Sequence, residues 1–176
     1  MLLRDAKDTL EAAKFITGTG TNEPFGVITG ATNTVNAAAG QTFTSANLYA
    51  LAQAPPPRYR SNGTFLADLA ILNKIEQFET AAGARLFDLN EGRLLRRPVY
   101  EASEMADVTT TGTKFLLFGD FSRYVIIDRV GLSVELIPHL MGTNRRPTGE
   151  RGLYAYWRNG AKVVDANAFR ALSGTA

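Results

Sequence analysis

The residues able to do chemistry in this chain are few and dispersed. His139 is its only histidine, and it has no cysteine. A nucleophilic dyad or triad built on His139 needs a positioned nucleophile and an orienting acid. Ser133 and Glu135 are near in sequence, but their spacing implies no convergence, and the pattern favours a structural or exposed histidine. One histidine without a cysteine cannot complete a zinc site. The carboxylates Asp68, Asp88, Asp107, Asp120, Asp128 and Asp165 would act as acid and base only if two met in a cleft. No spacing pairs any two of them. Surface and turn positions explain them, Asp120 after Gly119 most plainly. Thr17–Gly26, T-G-T-G-T-N-E-P-F-G, has the glycine content of a phosphate loop. It lacks the Lys-Ser/Thr such a loop requires and follows a helix rather than a strand, so it reads as a helix-ending turn. The sequence predicts no catalytic residue, no metal site and no cofactor.

The sharpest charge feature is a basic loop containing Asn144, Arg145, Arg146, Pro147, Glu150 and Arg151. Planar guanidinium groups suit bidentate partners, so its functional readings are phosphate binding or an ion-pair cluster between subunits. The plain reading is a solvated hairpin tip. Tyr154, Tyr156 and Trp157 follow it. Aromatics beside basic residues suggest base stacking. Strand alternation puts Tyr154 and Tyr156 on one face and Trp157 on the other, which fits core or interface packing better.

Composition sets the bounds. A chain of 176 residues suits one domain or a bent pair of subdomains, and its 45% apolar content suffices for a buried core. A net charge of +2 is weak support for a nucleic-acid partner. The absence of cysteine fits a reducing compartment. Apolar runs are far shorter than the ~20 residues that span a bilayer. Charges at Arg4, Asp5, Lys7 and Asp8, with no uncharged run after them, do not make a signal peptide.

The elements that would position these residues follow from periodicity. Leu2–Ile16 reads as a helix with an apolar stripe of Leu3, Ala6, Leu10 and Ala13. It begins without an N-cap residue, which suggests that something usually precedes it. Val27–Thr29 reads as a strand, followed by an Ala/Asn/Thr-rich loop. Thr44 or Ser45 caps a helix over Ala46–Gln53. Pro55–Pro57 reads as a stiff connector, and Arg58–Gly63 as a turn. Thr64–Ala67 is a strand, and Ala70–Thr80 a helix with Leu69, Leu72, Ile75 and Phe78 toward the core and Gly83 just past its end. Asp88–Gly92 is a turn, Leu94–Tyr100 leads into a short strand, and Thr109–Thr113 is a loop. Lys114–Trp157 has the densest β-branched and aromatic content. Within it, Lys114–Phe118 reads as a strand buried on both faces, Arg123–Asp128 as a second strand and Ser133–Ile137 as a half-solvated third. Gly152–Trp157 starts a final long strand, and Ala161–Val164 reads as separate. Ala166–Leu172 reads as a helical turn or short strand, and Ser-Gly-Thr-Ala as a disordered tail.

The ordered set of segments resembles the late region of tailed-bacteriophage major capsid proteins, whose fold encapsulin shells share. Gly119–Leu140 (G-D-F-S-R-Y-V-I-I-D-R-V-G-L-S-V-E-L-I-P-H-L), Asn144–Ala161 (N-R-R-P-T-G-E-R-G-L-Y-A-Y-W-R-N-G-A) and Asp165–Leu172 carry it. Phe15–Gly26, Asn73–Gly83 and Leu94–Met105 stand in the family's order. The resemblance implies an α+β phage major-capsid fold: an axial subdomain, plus part of a peripheral subdomain with a truncated spine helix. It implies that residues 1–23 end the spine helix, 24–130 form the axial subdomain, 131–160 the peripheral hairpin, and 161–176 the return and tail. Family members are about twice this length. Their N-terminal arm, extended loop and front of the spine helix have no counterpart here, so no cross-linking residue is carried over.

The function implied is structural. The chain is expected to be a truncated or separately encoded phage or prophage major capsid protein. It would self-associate into capsomers or join full-length capsid protein, in the virion shell and, before assembly, in the host cytoplasm. Packaged DNA would meet it only through diffuse contacts, with no membrane involved. Asn144, Arg145, Arg146, Glu150 and Arg151 are the expected inter-subunit contacts. The rival readings are a fragment that interferes with assembly of the full-length protein, and a basic nucleic-acid-binding module using Arg145, Arg146 and Arg151. An enzyme has little support beyond the scattered carboxylates.

Overall fold

The computed structural model describes residues 2–38, 42–79, 87, 92–107 and 109–175. The stop expected at Gly83 and positions 88–91 of the expected turn lie outside them. In chain order the elements are helix α1 (Leu2–Thr17), helical turn α2 (Val27–Gly30), strand β1 (Thr34–Asn36), α3 (Ser45–Gln53), α4 (Pro57–Arg60), β2 (Thr64–Ala67), α5 (Leu69–Glu76), β3 (Arg93–Leu94), β4 (Arg97–Glu101), β5 (Lys114–Gly119), β6 (Tyr124–Ile137), β7 (Gly152–Val163) and β8 (Phe169–Ser173). Single 3₁₀ turns over Phe121–Arg123 and Ala166–Ala168 precede β6 and β8.

Six strands form one mixed sheet in the order β1-β8-β5-β2-β4-β3, while β6 and β7 form a separate two-stranded ribbon. β5 lies at the centre of the larger sheet, antiparallel to both β2 and β8. Phe115, Leu116, Leu117 and Phe118 in it are buried to 1% exposure or less, so the strand is covered on both faces as its apolar run predicts. Leu116 and Phe118 pack with α3 and α5 through Leu48, Leu51, Ile71 and Ile75. Leu117 faces the other way, toward Val27, Tyr59, Phe169 and Ala171. Phe65 and Phe118 stack at 4.4 Å between ring centroids. Gly63 lies beneath them, where an added Cβ would meet the Phe118 ring at 2.3 Å.

Local chemistry explains the caps. Thr44 and Asn47 form a reciprocal capping box for α3, the Thr44 N–H donating to Asn47 Oδ1 at 2.9 Å. Asp68 caps α5, accepting from the Ala70 N–H at 2.7 Å. α5 buries Ile71, Leu72 and Ile75. Leu69, expected in the core, is 50% exposed because it opens the helix. The helix ends at Glu76, short of the expected Thr80.

Several other expectations are corrected. Val27–Thr29 is a helical turn, not a strand. The Lys114 ammonium donates to its Ile28 and Ala31 carbonyls at 3.0 and 2.9 Å, satisfying acceptors a helix end leaves open. Burial pushes the Lys114 amine below its usual pKa. Thr34–Asn36, expected in a loop, pairs in parallel with β8. Pro57, expected in an extended connector, opens α4; its missing N–H costs nothing at a first helical position. The supposed disordered tail is tied down. Ser173 is buried, Gly174 bridges Thr111, and the Thr175 hydroxyl donates to the Ala37 carbonyl at 3.0 Å.

α1 is the most instructive correction. Its apolar stripe does not face the core: Leu3 and Leu10 are 40% and 54% exposed. The charged side chains Lys7 and Glu11 turn inward instead, at 22% and 15% exposure, paired at 2.7 Å. They lie against β7, where Lys7 sits over the Trp157 ring at 5.9 Å and Asn159 Nδ2 donates to Glu11 Oε1 at 2.6 Å.

Candidate assembly surface

The β6–β7 ribbon is one long hairpin. Tyr124 pairs with Val163 at its base and Ile137 with Gly152 near its end. Arg123–Asp128 and Ser133–Ile137 are therefore one strand, and Ala161–Val163 continues Gly152–Trp157. Register shifts between Asp128 and Ser133 absorb the irregularity at Gly131 as a bulge while pairing resumes beyond it.

Paired residues across an antiparallel ribbon share a face. At the base, one face is anchored. Val163 is buried, and the Tyr124 hydroxyl lies 3.0 Å from both the Phe15 and Phe25 carbonyls. Burial raises the Tyr124 phenol to a pKa of about 12. Further out, α1 covers this face around Trp157 and Asn159. Elsewhere the ribbon carries exposed apolar side chains on both faces, uncovered by any of the described residues. Val134, Leu136 and Leu153 are 47%, 60% and 63% exposed on one face; Val125, Ile127 and Tyr154 are 40%, 65% and 53% exposed on the other. Tyr154 and Tyr156 share a face with rings 5.7 Å apart, as alternation predicts. The third strand was expected to be half-solvated. It is open on both sides, because the ribbon stands apart from the six-stranded sheet.

The basic loop sits at the hairpin end. Asn144, Arg145, Arg146, Glu150 and Arg151 are all exposed. The backbone there is folded on itself: Gly142 N–H donates to the Arg146 carbonyl at 2.9 Å, and Leu140 N–H to the Glu150 carbonyl at 3.1 Å. Met141 bridges Pro147. Arg145 adopts φ +57° and Gly149 φ +83°, so the turn presents the arginines outward on a defined frame. Among the described residues no carboxylate pairs with Arg145, Arg146 or Arg151.

Among the described residues the other candidates do not converge; Asp88 lies outside them. His139 is exposed beside this loop. Asp120 is buried and accepts from the Ser122 N–H at 3.0 Å. Asp165 accepts from the Tyr59 hydroxyl and from Asn167 N–H, with Arg58 3.6 Å away. In Thr17–Gly26 the groups a phosphate loop would offer are engaged within the protein: Glu23 accepts from the Thr19 N–H at 2.7 Å and the Thr19 hydroxyl at 2.8 Å, and pairs with Lys14 at 2.7 Å. Among the described residues no group of three or more acidic or histidine side chains is arranged to hold a metal, and no helix is long and apolar enough to cross a membrane. The open ribbon faces were not singled out by sequence reasoning. Their signal is an apolar residue at consecutive rather than alternate positions of β6, as in Val125-Ile126-Ile127.

A mixed sheet packed between helices, with a hairpin and one helix standing out from it, is an architecture shared with solved capsids. The capsid of an empty GTA particle computed with C5 symmetry matches with a TM-score of 0.84 at 26% identity, over 99% of this chain and 64% of that one. The capsid of a native GTA particle gives 0.82 and 27%, over 99% and 65%. The structure from Mycobacterium phage Ogopogo gives 0.65 at 15% identity, over 93% and 62%, a likeness in fold alone. The fold is thus the α+β capsid fold of phage shells. The model of the phage capsid family matches residues 2–174, and the chain belongs to that family. Comparison with curated proteins returns no match. The chain spans less than two thirds of the length of these solved capsid chains, though more than the half expected.

Proposed function

We propose that this chain is a structural shell protein that self-associates into capsomers or co-assembles with longer capsid protein. Family membership supports the reading, and one observation carries it. The β6–β7 ribbon exposes Ile127, Leu136, Met141 and Leu153 at 60% or more, on a two-stranded element that has no core of its own. Isolated two-stranded ribbons are marginal in water, and contiguous exposed apolar surface marks an interaction site. Neighbouring subunits in a closed shell would cover it, through repeated heterologous contacts.

In this reading residues 24–130 and 161–176 form the axial part, and α1 with the 131–160 hairpin the peripheral part. Asn144, Arg145, Arg146, Glu150 and Arg151 contact a neighbouring subunit, since among the described residues none of the three arginines nor Glu150 forms an ion pair. DNA meets the shell only through diffuse charge. The protein resides in the host cytoplasm before assembly and in the virion afterwards, and performs no catalysis.

Electron microscopy of the purified protein, alone and mixed with a longer capsid protein of the family, tests this. Rings, shells or incorporation into mixed shells are expected. Monomers that abolish the partner's shells would replace the reading with interference, and monomers without effect would overturn both.

A further inference from the structure

The ribbon face turned away from α1 carries an apolar floor with a cationic rim. Val125, Ile127 and Val164 are 40%, 65% and 68% exposed, and Arg129, Arg158 and Lys162 stand around the same hollow. Among the described residues none of these cations forms an ion pair. Such a surface suits a partner that interleaves apolar and anionic groups. The chain itself supplies one. Tyr100 in β4 is 63% exposed, and Glu101, Glu104 and Asp107 follow it without an ion pair among the described residues. No residue of this acidic segment lines the hollow.

We infer that the acidic segment at the end of β4 in one copy seats on the cationic hollow of the next. Tyr100 lies on the floor of Val125 and Ile127, and the carboxylates meet Arg129, Arg158 and Lys162. The contact joins two different patches, so it can repeat from copy to copy around a ring, each copy giving one patch and receiving the other. It rests on the shell reading above and names the surfaces used. A DNA backbone would satisfy the cations but would leave the apolar floor without a partner and give the carboxylates no role.

Charge reversal in both directions tests it. Sedimentation velocity compares the unaltered protein with Arg158→Glu/Lys162→Glu, with Glu101→Lys/Glu104→Lys, and with all four changes together. Each double reversal is expected to raise the concentration for half-association roughly 100-fold, because like charges then face each other. The fourfold variant should return to within about tenfold of the unaltered protein, since the pairing is restored with its signs exchanged. Circular dichroism and melting curves verify that every variant is folded. Association unchanged by either double reversal, or a fourfold variant no better than the doubles, overturns the contact and leaves the shell reading standing. So does a hollow whose reversal abolishes DNA retention while the acidic reversal leaves association intact. An unaltered protein that stays monomeric overturns the shell reading, and this contact with it.

Discussion

Asn159 of β7 donates its amide to the Glu11 carboxylate of α1 across 2.6 Å, with Lys7 2.7 Å from the same oxygen. This small polar cluster holds the middle of the helix on the hairpin. A hydrogen bond to a charged group contributes about 1.5–3 kcal/mol, toward the low end at this partial exposure. Asn159→Ala should therefore loosen α1 without unfolding the sheet. Hydrogen exchange is expected to accelerate across residues 3–14 while β5 keeps its protection. Equal acceleration in both would show that α1 and the core melt together.

Acid should release the Thr17–Gly26 turn before it harms the core. The Lys14 ammonium first, then the Thr19 N–H and hydroxyl, hold the Glu23 carboxyl at a pKa of about 2, against an ordinary 4.5. A depressed carboxyl contributes stability that is present above the ordinary value and is lost as pH falls through the folded one. The Thr19 amide resonance should shift with a midpoint near pH 2, and Glu23→Gln should abolish that transition. A midpoint near 4.5 would contradict the geometry.

Alkali acts on the other anchor. Burial raises the Tyr124 phenol from 10.0 to about 12. The unfolded chain loses this proton first, so stability falls as pH rises from about 10 to about 12. Ultraviolet titration should show one of the six tyrosines ionising last. In Tyr124→Phe that late step disappears, at a stability cost of about 1 kcal/mol for the lost hydrogen bond.

The central packing carries the fold. Phe118→Ala should cost about 3–5 kcal/mol, since its ring is 1% exposed and stacked on Phe65. Gly63→Ala should also destabilise, by about 1–3 kcal/mol from overpacking, as its new Cβ would stand 2.3 Å from that ring. Chemical denaturation of both variants checks the pair.

These anchors also show what the sequence could reveal. β5 was legible because four consecutive large apolar residues, bounded by Thr-Gly-Thr and Gly-Asp turns, fit a short strand covered on both sides. The α3 cap was legible to within one residue, as Thr44 or Ser45; the structure selects Thr44 and adds Asn47 as its reciprocal partner. The orientation of α1 was not. Its apolar stripe is real, but Asn159 reaches Glu11 across 148 residues and Lys7 sits over Trp157, and no periodicity encodes that. β1 escaped because Thr-Val-Asn becomes a strand only when β8 lies beside it. β6 looked like two strands because Gly131 reads as a break, whereas pairing with β7 carries the chain through it. The basic tip was visible as charge, and the structure adds the frame that turns it outward.

That tip gives a further prediction. Arg145→Ala/Arg146→Ala should leave the melting temperature nearly unchanged, since exposed substitutions fall within about 0.5 kcal/mol. It should still weaken particle formation in an electron-microscopy count. A large loss of stability would mean that the arginines serve the hairpin itself.

Hydroxyl-radical footprinting of assembled particles against dissociated chain tests the burial of the ribbon most directly. Met141, Tyr154 and Tyr156, at 65%, 53% and 41% exposure in the single chain, report on it. Strong protection of all three in particles is the predicted result. Equal labelling in both states would show that the open faces of the hairpin are not what the subunits bury.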